Sequence, residues 1–263
     1  MKKICLALLV ILFAAIPCRA ATYWVSPSGA ASWGSCQSSS PLSGAACCTI
    51  SAANSNAVAG DVIMLRGGAY PVLGGASGGI GPLAHSGTSS SKITFQAYTG
   101  ETPEFTGSYY PVYLVGNSYV RLIGITVHDT PAPYYMFWIG KGSNYNEIAH
   151  CVFYQSGGVS GDMLGYIGGD CNDGVNWNCP STGNWIHDNV MHDVSTNVPC
   201  EDGRNIWQIG SAYRDLLSDN NTIENNVFYH CCPVNYVITS ITYQEKTAQS
   251  VTIAYKYSHH FEG

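Results

Sequence analysis

Short apolar segments with the same internal order recur along the chain. In the four stronger copies an isoleucine is followed, at the fourth position, by a polar residue or cysteine and then by one to three hydrophobic residues. The copies begin at Leu122 (LIGITVHD, the weakest), Ile148 (IAHCVFYQ), Ile186 (IHDNVMHD), Ile223 (IENNVFYH) and Ile253 (IAYKYSHH), with spacings of 26, 38, 37 and 30 residues. They are too short and too rich in β-branched and aromatic residues for helices, so the pattern predicts strands.

A second set of short apolar segments alternates with the first, and each contains a glycine near its end. The segments lie at 112–118, 136–142, 163–169 and 206–212, and the glycines are Gly116, Gly140, Gly168 and Gly210. Glycine permits a bend that a side chain would block. Strand, bend, second strand and loop, repeated at this period, are typical of a solenoid of stacked parallel strands.

The repeat also predicts where individual side chains lie in such a coil. We expect Ile223 and Phe228 to face the interior and Asn226 to lie at a bend, where a stacked amide can bond neighbouring turns. Asn189 occupies the same column as Asn226, whereas Cys151 and Lys256 replace it in other copies. The sequence therefore predicts an asparagine ladder of two members.

The chain before the repeat gives three more strand signals with turn glycines between them. They lie at 23–29 (YWVSPSG), 60–70 (GDVIMLRGGAY) and 91–107 (SKITFQAYTGETPEFTG). These motifs resemble the opening strands of right-handed parallel β-helix proteins of the pectate-lyase-like superfamily, and the resemblance covers nearly the whole chain after residue 20. It implies an all-β fold, a right-handed parallel β-helix with a short N-terminal cap. It implies less about activity, because the superfamily holds lyases, hydrolases, epimerases and non-catalytic surface proteins.

The two ends of the chain complete the expected domain organisation. Residues 1–20 combine two lysines, a 13-residue apolar run too short for a membrane span and small residues before Ala21, which predicts a secretory signal peptide. Residues 21–263 form the β-helix domain, with a disulfide-stapled loop at 31–48 and a short capping helix at 50–59. Nothing follows the last repeat strand to cap the coil, so we expect either a partner at that end or missing turns.

Composition narrows the classes of function. A net charge of −6, with only 11% of residues charged, argues against nucleic acid, which requires a basic face. Eleven cysteines are present, two of them (Cys5 and Cys18) in the signal peptide. In a secreted chain the remaining nine indicate disulfides, and their odd number leaves at least one thiol unpaired. No pair has C-x-x-C spacing, which disfavours zinc.

The third turn of the predicted coil carries the longest insertions, at 169–184 and 194–205, and inserted loops often mark the working face of a solenoid. The carboxylate oxygens of these loops are ligands that suit Ca²⁺. The resemblance also implies calcium, because many polysaccharide lyases of this fold use it. The candidate ligands are Asp170, Asp173, Glu201 and Asp202. The alternative is a pair of solvated acidic turns. A disulfide between Cys171 and Cys179, or from either to Cys200, would hold the loops.

Candidate catalytic residues come from the same turn. The resemblance implies a lysine or arginine as base and charge neutraliser, and Arg204 lies in the second long loop. His187, His192 and Asp193 lie between the two loops, where a histidine could serve as general base near neutral pH. The alternatives are that Arg204 forms a surface ion pair and that two carboxylates of this turn hydrolyse a glycoside.

The seventh position of each copy carries an imidazole or a phenol ring. The residues are His128, Tyr154, His192, Tyr229 and His259. Because stacked strands lie roughly 4.8 Å apart, these rings could form a ladder that suits sugar rings. We assign His128, Tyr154 and Tyr229 to substrate binding, together with Trp177 in the first long loop. The alternative is that the rings are buried or stack only for stability, since the pattern does not fix which face the column takes.

These features predict a secreted carbohydrate-active protein, a polysaccharide lyase that acts on an acidic glycan beside the third turn. The rival hypothesis is a non-catalytic surface, adhesive or glycan-binding β-helix. The distinguishing feature is whether Arg204, His187 and His192 share one open cleft with the loop acids.

Overall fold

The protein is nearly all β-structure in the computed structural model, which describes residues 20–70, 79–130, 135–155, 163–168, 179–193, 207–209, 220–229, 237–243 and 253–256. The strands are β1 (Thr22–Val25), β2 (Val62–Leu65), β3 (Gly68–Tyr70), β4 (Ile93–Ala97), β5 (Pro103–Thr106), β6 (Val112–Val115), β7 (Val120–Ile123), β8 (Thr126–His128), β9 (Tyr135–Gly140), β10 (Glu147–Ala149), β11 (Val152–Tyr154), β12 (Met163–Ile167), β13 (Trp185–His187), β14 (Val190–His192), β15 (Trp207–Ile209), β16 (Asn221–Tyr229), β17 (Val237–Tyr243) and β18 (Ile253–Lys256). The helices are α1 (Ile50–Asn56) and two short 3₁₀ helices, Trp33–Ser35 and Gly44–Ala46. None of the described helices has the length and apolar character needed to cross a membrane.

The strands form three parallel stacks that wind into a coil, which confirms the predicted parallel β-helix. Sheet 1 contains β1, β2, β4, β7, β10, β13 and the first part of β16. Sheet 2 contains β3, β5, β8, β11, β14 and the last part of β16, and sheet 3 contains β6, β9, β12 and β15. From β6 onward the chain visits sheets 3, 1 and 2 in that order, so each turn contributes one strand to every sheet.

The strand register confirms four of the five predicted repeat copies. Leu122, Ile148, Ile186 and Ile223 lie opposite one another on adjacent strands of sheet 1 and are all buried. Their side chains form one row of the hydrophobic core, to which the alternate residues of sheets 2 and 3 also contribute.

The fifth copy, which begins at Ile253, does not stack as another parallel turn, so this part of the prediction is wrong. β17 runs antiparallel to β16, and β18 runs antiparallel to β17. The alternation of apolar residues is the same in parallel and antiparallel strands, so the pattern could not show this reversal of direction.

A left-handed residue separates sheet 1 from sheet 2 in each of four successive turns. The residues are Gly124, His150, Asp188 and Asn225, with φ between 53° and 72°. Only glycine, and to a lesser degree asparagine, aspartate and histidine, tolerates this conformation readily. Asn189 and Asn226 directly follow two of these bends and are fully buried, as predicted for the two-member ladder.

A second asparagine ladder, which was not predicted from the sequence, lies at the bend that leads from sheet 3 into sheet 1. The Oδ1 atoms of Asn146, Asn184 and Asn221 accept from the backbone N–H groups of Val120, Asn146 and Asn184, at 2.9, 3.0 and 2.9 Å. Each ladder amide therefore bonds the preceding turn, which satisfies buried backbone groups where the strands are interrupted.

The predicted glycine bends of sheet 3 are confirmed at Gly116, where φ is 75°, but not at Gly140. Gly140 lies inside β9 opposite Val115, and the left-handed position equivalent to Gly116 is Lys141, with φ of 55°. The glycine pattern aligns Gly116 with Gly140, whereas the strands of sheet 3 pair Gly140 with Val115, so the two alignments differ by one residue. Gly210 lies outside the described residues.

The N-terminal segment forms the predicted cap. The side chain of Thr49 accepts a hydrogen bond from the N–H of Ala52 and caps the start of α1. The helix itself, Ile50–Asn56, lies inside the predicted range 50–59. A disulfide joins Cys36 to Cys48 and closes the predicted loop, whereas Cys47 and Cys151 are free and buried. The signal-peptide prediction concerns residues 1–20, almost all outside the described residues.

Candidate functional site: three outer faces of the coil

Sheet 3 presents a row of aromatic side chains on its outer face. Tyr113, Trp138 and Tyr166 lie opposite one another on β6, β9 and β12. Their neighbours along the strands, including Phe137 and Ile139, are fully buried, so the period-two alternation of a strand directs the row away from the core. We call Tyr113, Trp138 and Tyr166 the aromatic row.

Trp138 is the centre of a larger cluster of rings. Its ring centroid lies 5.6 Å from that of Tyr113 and 5.2 Å from that of Tyr166. Tyr110 and Tyr135 pack edge-on against it at 5.0 and 5.6 Å. These edge-to-face arrangements are the preferred geometry of aromatic pairs. Trp138 and Tyr113 remain partly exposed, so the cluster supplies a broad, rigid and uncharged surface.

Two glycines make room for this surface. A Cβ atom at Gly140 would lie 2.4 Å from Nε1 of Trp138, and one at Gly168 would lie 2.2 Å from the hydroxyl of Tyr166. These distances are too short for real contacts, so each ring lies against the backbone of a glycine two residues further along the chain. The glycines that the sequence marked as bends therefore serve, at these two positions, to accommodate the aromatic row.

The two long loops of the third turn connect to the ends of sheet 3. The first follows β12, and the second leads from β14 into β15. Arg204, Trp177 and the four predicted calcium ligands belong to these connections and lie outside the described residues, so their roles and the calcium site stay predictions. Within the described part of the chain, no group of three or more metal-ligating side chains is present.

Cys179 at the end of the first loop is disulfide-bonded. The described cysteines other than Cys179 are either paired with each other or free, so its partner lies outside the described residues. A disulfide at this loop was predicted, and its connectivity to Cys171 or Cys200 stays a prediction.

Sheet 2 carries the predicted ring ladder on its outer face. His128, Tyr154 and His192 lie opposite one another, with ring centroids 4.8 and 5.0 Å apart and ring planes within 5° of parallel. The backbone of Tyr229 continues the column on β16. His259 lies outside the described residues.

The rings of the ladder are only partly exposed. The imidazoles of His128 and His192 are 15% and 17% exposed, and each Nδ1 lies 2.8 or 2.6 Å from the carboxylate of the following aspartate, Asp129 or Asp193. Burial, and then the nearby carboxylates of Asp129 and Glu104, raise the pKa of the Tyr154 phenol. Because the rings cover one another's faces, only their edges remain to meet a ligand.

His187 lies on sheet 1, separated from His192 by the left-handed bend at Asp188. Its imidazole stacks on Trp185 at 3.6 Å, its Nδ1 lies 2.7 Å from Asp188, and its buried Nε2 lies 3.6 Å from Glu147. The structure thus keeps His192 and Asp193 together but places His187 on a different face of the coil, so the cleft predicted to contain both histidines is not formed by them.

Glu147 organises the outer face of sheet 1. Its buried carboxylate lies 2.8 Å from Nζ of Lys92 and 2.9 Å from Nε of Arg121. Burial works to raise the pKa of Glu147, but the contacts with Lys92 and Arg121 together outweigh it, so the net direction is downward. Glu147 therefore stays ionised and fixes both basic side chains.

The aromatic row is the feature that sequence reasoning missed. The segments VYLV, MFWIG and LGYI each place an aromatic residue between two core positions, and aligning them by core residues would have revealed the row. Because tyrosine and tryptophan count as hydrophobic, these segments are uniformly apolar in the pattern, which therefore does not show the row.

Comparison with known proteins gives limited matches. No family model and no curated protein matches the chain. Among solved structures it is similar to a rhamnogalacturonan lyase, with 18% identity and a TM-score of 0.47, over 80% of this chain and 54% of that one. It is also similar to a PL6 family polysaccharide lyase from Pseudopedobacter saltans, with 16% identity and a TM-score of 0.42, over 69% and 45% of the two chains. The chain spans about half the length of the solved structures it matches.

Proposed function

We propose that this chain is a secreted carbohydrate-active protein that binds an extended acidic polysaccharide along the aromatic row and cleaves it by a lyase reaction. The observation that carries the proposal is the position of the row. Tyr113 and Trp138 are partly exposed and pack with the buried Tyr166 into a rigid aromatic row, and both long loops of the third turn connect to the ends of the same sheet. Ligand sites generally combine such apolar surfaces with a few polar groups on adjacent loops.

Secretion is supported by two independent features. The N-terminal sequence has the order of a signal peptide. The disulfide between Cys36 and Cys48 belongs to an oxidising compartment, because cytosolic thiols are kept reduced. The acidic nature of the glycan rests on the resemblance of the N-terminal motifs to pectate-lyase-like proteins.

A lyase reaction requires three roles in the site. A base removes the proton on the carbon next to the uronate carboxyl, the electron pair forms a carbon–carbon double bond, and the glycosidic carbon–oxygen bond breaks. A cation stabilises the charge that develops on the carboxylate, and the departing oxygen takes up a proton. We assign charge neutralisation to Arg204 in the second long loop.

The base in this proposal is His192 on sheet 2, so the proposal requires the glycan bound along sheet 3 to extend to sheet 2. Asp193 lies 2.6 Å from Nδ1 of His192 and orients the ring, and we assign the proton transfer to Nε2. His192 and Asp193 directly precede the loop that carries Arg204. His187 lies on sheet 1 with its Nε2 buried, so we give it no proton-transfer role.

The second candidate function is glycan binding without cleavage. The described strands of sheet 3 contain no histidine, lysine or arginine, so the aromatic row by itself offers a binding surface and no base. This observation favours glycan binding without cleavage as the second candidate function.

The test separates binding from cleavage. We would measure retardation of the purified protein in gels that contain acidic or neutral polysaccharides, and the ultraviolet absorbance of the unsaturated uronate product in solution. The proposal predicts retardation by an acidic glycan and a rise in absorbance that His192→Ala abolishes without changing retardation. Retardation without a rise would establish the non-catalytic function, and no retardation by any glycan would refute both.

A further inference from the structure

The basic side chains of the described chain are concentrated on one side of the coil. Four lysines and arginines have described side chains: Arg66, Lys92, Arg121 and Lys141. Arg66 is paired with Glu101 near the N-terminal cap. The other three lie on sheet 1 or in the turns that lead into it, at or near the corner between sheets 3 and 1. In a chain with a net charge of −6, this clustering creates a local positive surface.

Aromatic side chains lie among these cations. By strand register Lys92, Tyr119 and Tyr145 occupy equivalent positions in three successive turns. Lys92 and Tyr119 directly precede β4 and β7, and Tyr145 lies two residues before β10. The rings of Tyr119 and Tyr145 stack at 5.0 Å, and Tyr145 is 49% exposed. Gly183 continues this column in the next turn, where a side chain would strike the ring of Tyr145 at 2.6 Å.

The charge balance of this corner is positive. Lys92 and Arg121 share the single carboxylate of Glu147, and Lys141 is exposed, with no described carboxylate in ion-pair distance. Among the described side chains of this corner, three cations therefore face one buried anion. Arg121 keeps 40% of its side chain exposed despite the contact, so its charge is available to a ligand.

We propose that Lys92, Tyr119, Arg121, Lys141 and Tyr145, here called the basic corner, form a second binding surface for an anionic polysaccharide. Carboxylate or sulfate groups of the glycan would pair with the cations, and its hydroxyl groups would meet the tyrosine edges. The basic corner adjoins the sheet that carries the aromatic row, so one long chain can engage both surfaces. The second contact then occurs at high effective concentration and strengthens the first. This inference rests on the proposed function, which supplies the glycan.

The most informative variants change the exposed residues of the corner and leave Glu147 paired. Lys141→Gln removes a charge, and Lys141→Arg is the matched control that keeps it. Tyr145→Ala removes the exposed ring. We expect the Lys141→Gln, Tyr145→Ala double variant to bind acidic polysaccharide about three- to tenfold more weakly, as expected for an exposed charge plus one aromatic contact. Lys141→Arg should bind like the unmodified protein.

Three further results are expected if the corner recognises anions. Neutral polysaccharides should bind the Lys141→Gln single variant and the unmodified protein equally, because this change removes only a charge. The affinity of the unmodified protein for acidic glycan should fall more steeply with salt than that of the double variant, because exposed charge contacts are screened. Both proteins should unfold at similar temperatures, since Lys141 and Tyr145 are exposed.

The outcomes distinguish this inference from the proposed function. If Trp138→Ala weakens binding of acidic glycan while the corner variant binds like the unmodified protein, the corner inference is overturned and the proposed function stands. If Lys141→Gln loses affinity equally for acidic and neutral glycans, the anionic chemistry is wrong. If the unmodified protein binds no acidic glycan, both are wrong.

Discussion

Asn189 and Asn226 are bonded to each other across two turns of the coil. Oδ1 of Asn226 accepts from the backbone N–H of Asn189 at 3.0 Å and from its side-chain Nδ2 at 2.9 Å. Oδ1 of Asn189 in turn accepts from the N–H of Cys151 at 2.8 Å, and its Nδ2 lies 3.0 Å from the carbonyl of Ile148. Both side chains are completely buried. The ladder therefore replaces strand pairing at the bend between sheets 1 and 2.

Asn189→Ala is expected to destabilise the protein strongly. The change leaves the buried N–H of Cys151 and the carbonyl of Ile148 without their side-chain partner, and each such group costs about 1–3 kcal/mol. The predicted loss is about 2–5 kcal/mol in the free energy of unfolding, measured by urea denaturation. Asn56→Ala is the control: this asparagine is exposed on α1, so its change should have little effect. Equal stability of the two variants would contradict the structural role of the ladder.

Gly165→Ala is expected to disturb the packing beneath the aromatic row. A Cβ atom at Gly165 would lie 2.0 Å from the ring of Phe137, which is fully buried in the neighbouring strand. Overpacking of this kind typically costs about 1–3 kcal/mol. Gly34→Ala serves as the matched control, because no atom lies within 4 Å of the added group. A thermal unfolding scan that found both variants equally stable would refute the close approach.

The ion pair between Arg66 and Glu101 should make stability depend on acid pH. The hydrogen bonds from Arg66 hold the pKa of Glu101 below its ordinary value. The contribution of the ion pair to the free energy of unfolding is therefore complete above the unfolded-state pKa of glutamate, about 4.3. It is lost as the pH falls through the lower folded-state pKa of Glu101.

Glu101→Gln should remove this dependence. At neutral pH the variant should be less stable by about 1–2 kcal/mol, a reduced value because both side chains of the pair are partly exposed. Below pH 4 the difference from the unmodified protein should shrink. Urea denaturation at several pH values would measure it, and a difference that stays constant from neutral to acid pH would show that the pair contributes nothing.

The thiol of Cys151 should resist modification in the folded protein. Cys151 is fully buried directly after the left-handed bend at His150. Burial raises the pKa of its thiol to about 12, so almost no reactive thiolate forms at neutral pH. Alkylation followed by peptide mass mapping should find Cys151 unmodified under native conditions and fully modified in denaturant. Rapid native modification would show that this part of the coil opens readily.

Much of the fold was predictable because a coil repeats its core. The repeat copies that begin at Leu122, Ile148, Ile186 and Ile223 were identified from the sequence, and the structure stacks them in register. Burial constrains these positions in every turn, so the same residue types recur. The direction of the last strands was not predictable, because alternation does not encode strand direction.

The candidate site was less predictable, for a physical reason. His128, Tyr154 and His192 share one sequence position and were correctly expected to stack. Trp138 and its neighbours come from strands separated by long, unequal loops, so their row emerges only when the register of sheet 3 is known. Residues that share one position of a repeat can be identified by aligning the repeat copies. A surface whose residues lie between unequal loops can be identified only from the strand register of the folded protein.

The most direct test of the central proposal is a calorimetric titration of the protein with the acidic polysaccharide that retards it best. The unmodified protein should be compared with a Tyr113→Ala, Trp138→Ala double variant whose circular dichroism spectrum is unchanged. If the aromatic row holds the glycan, the double variant should bind at least about tenfold more weakly, which corresponds to roughly 1.4 kcal/mol. Equal affinity of the two proteins would contradict the proposal and place the glycan elsewhere on the coil.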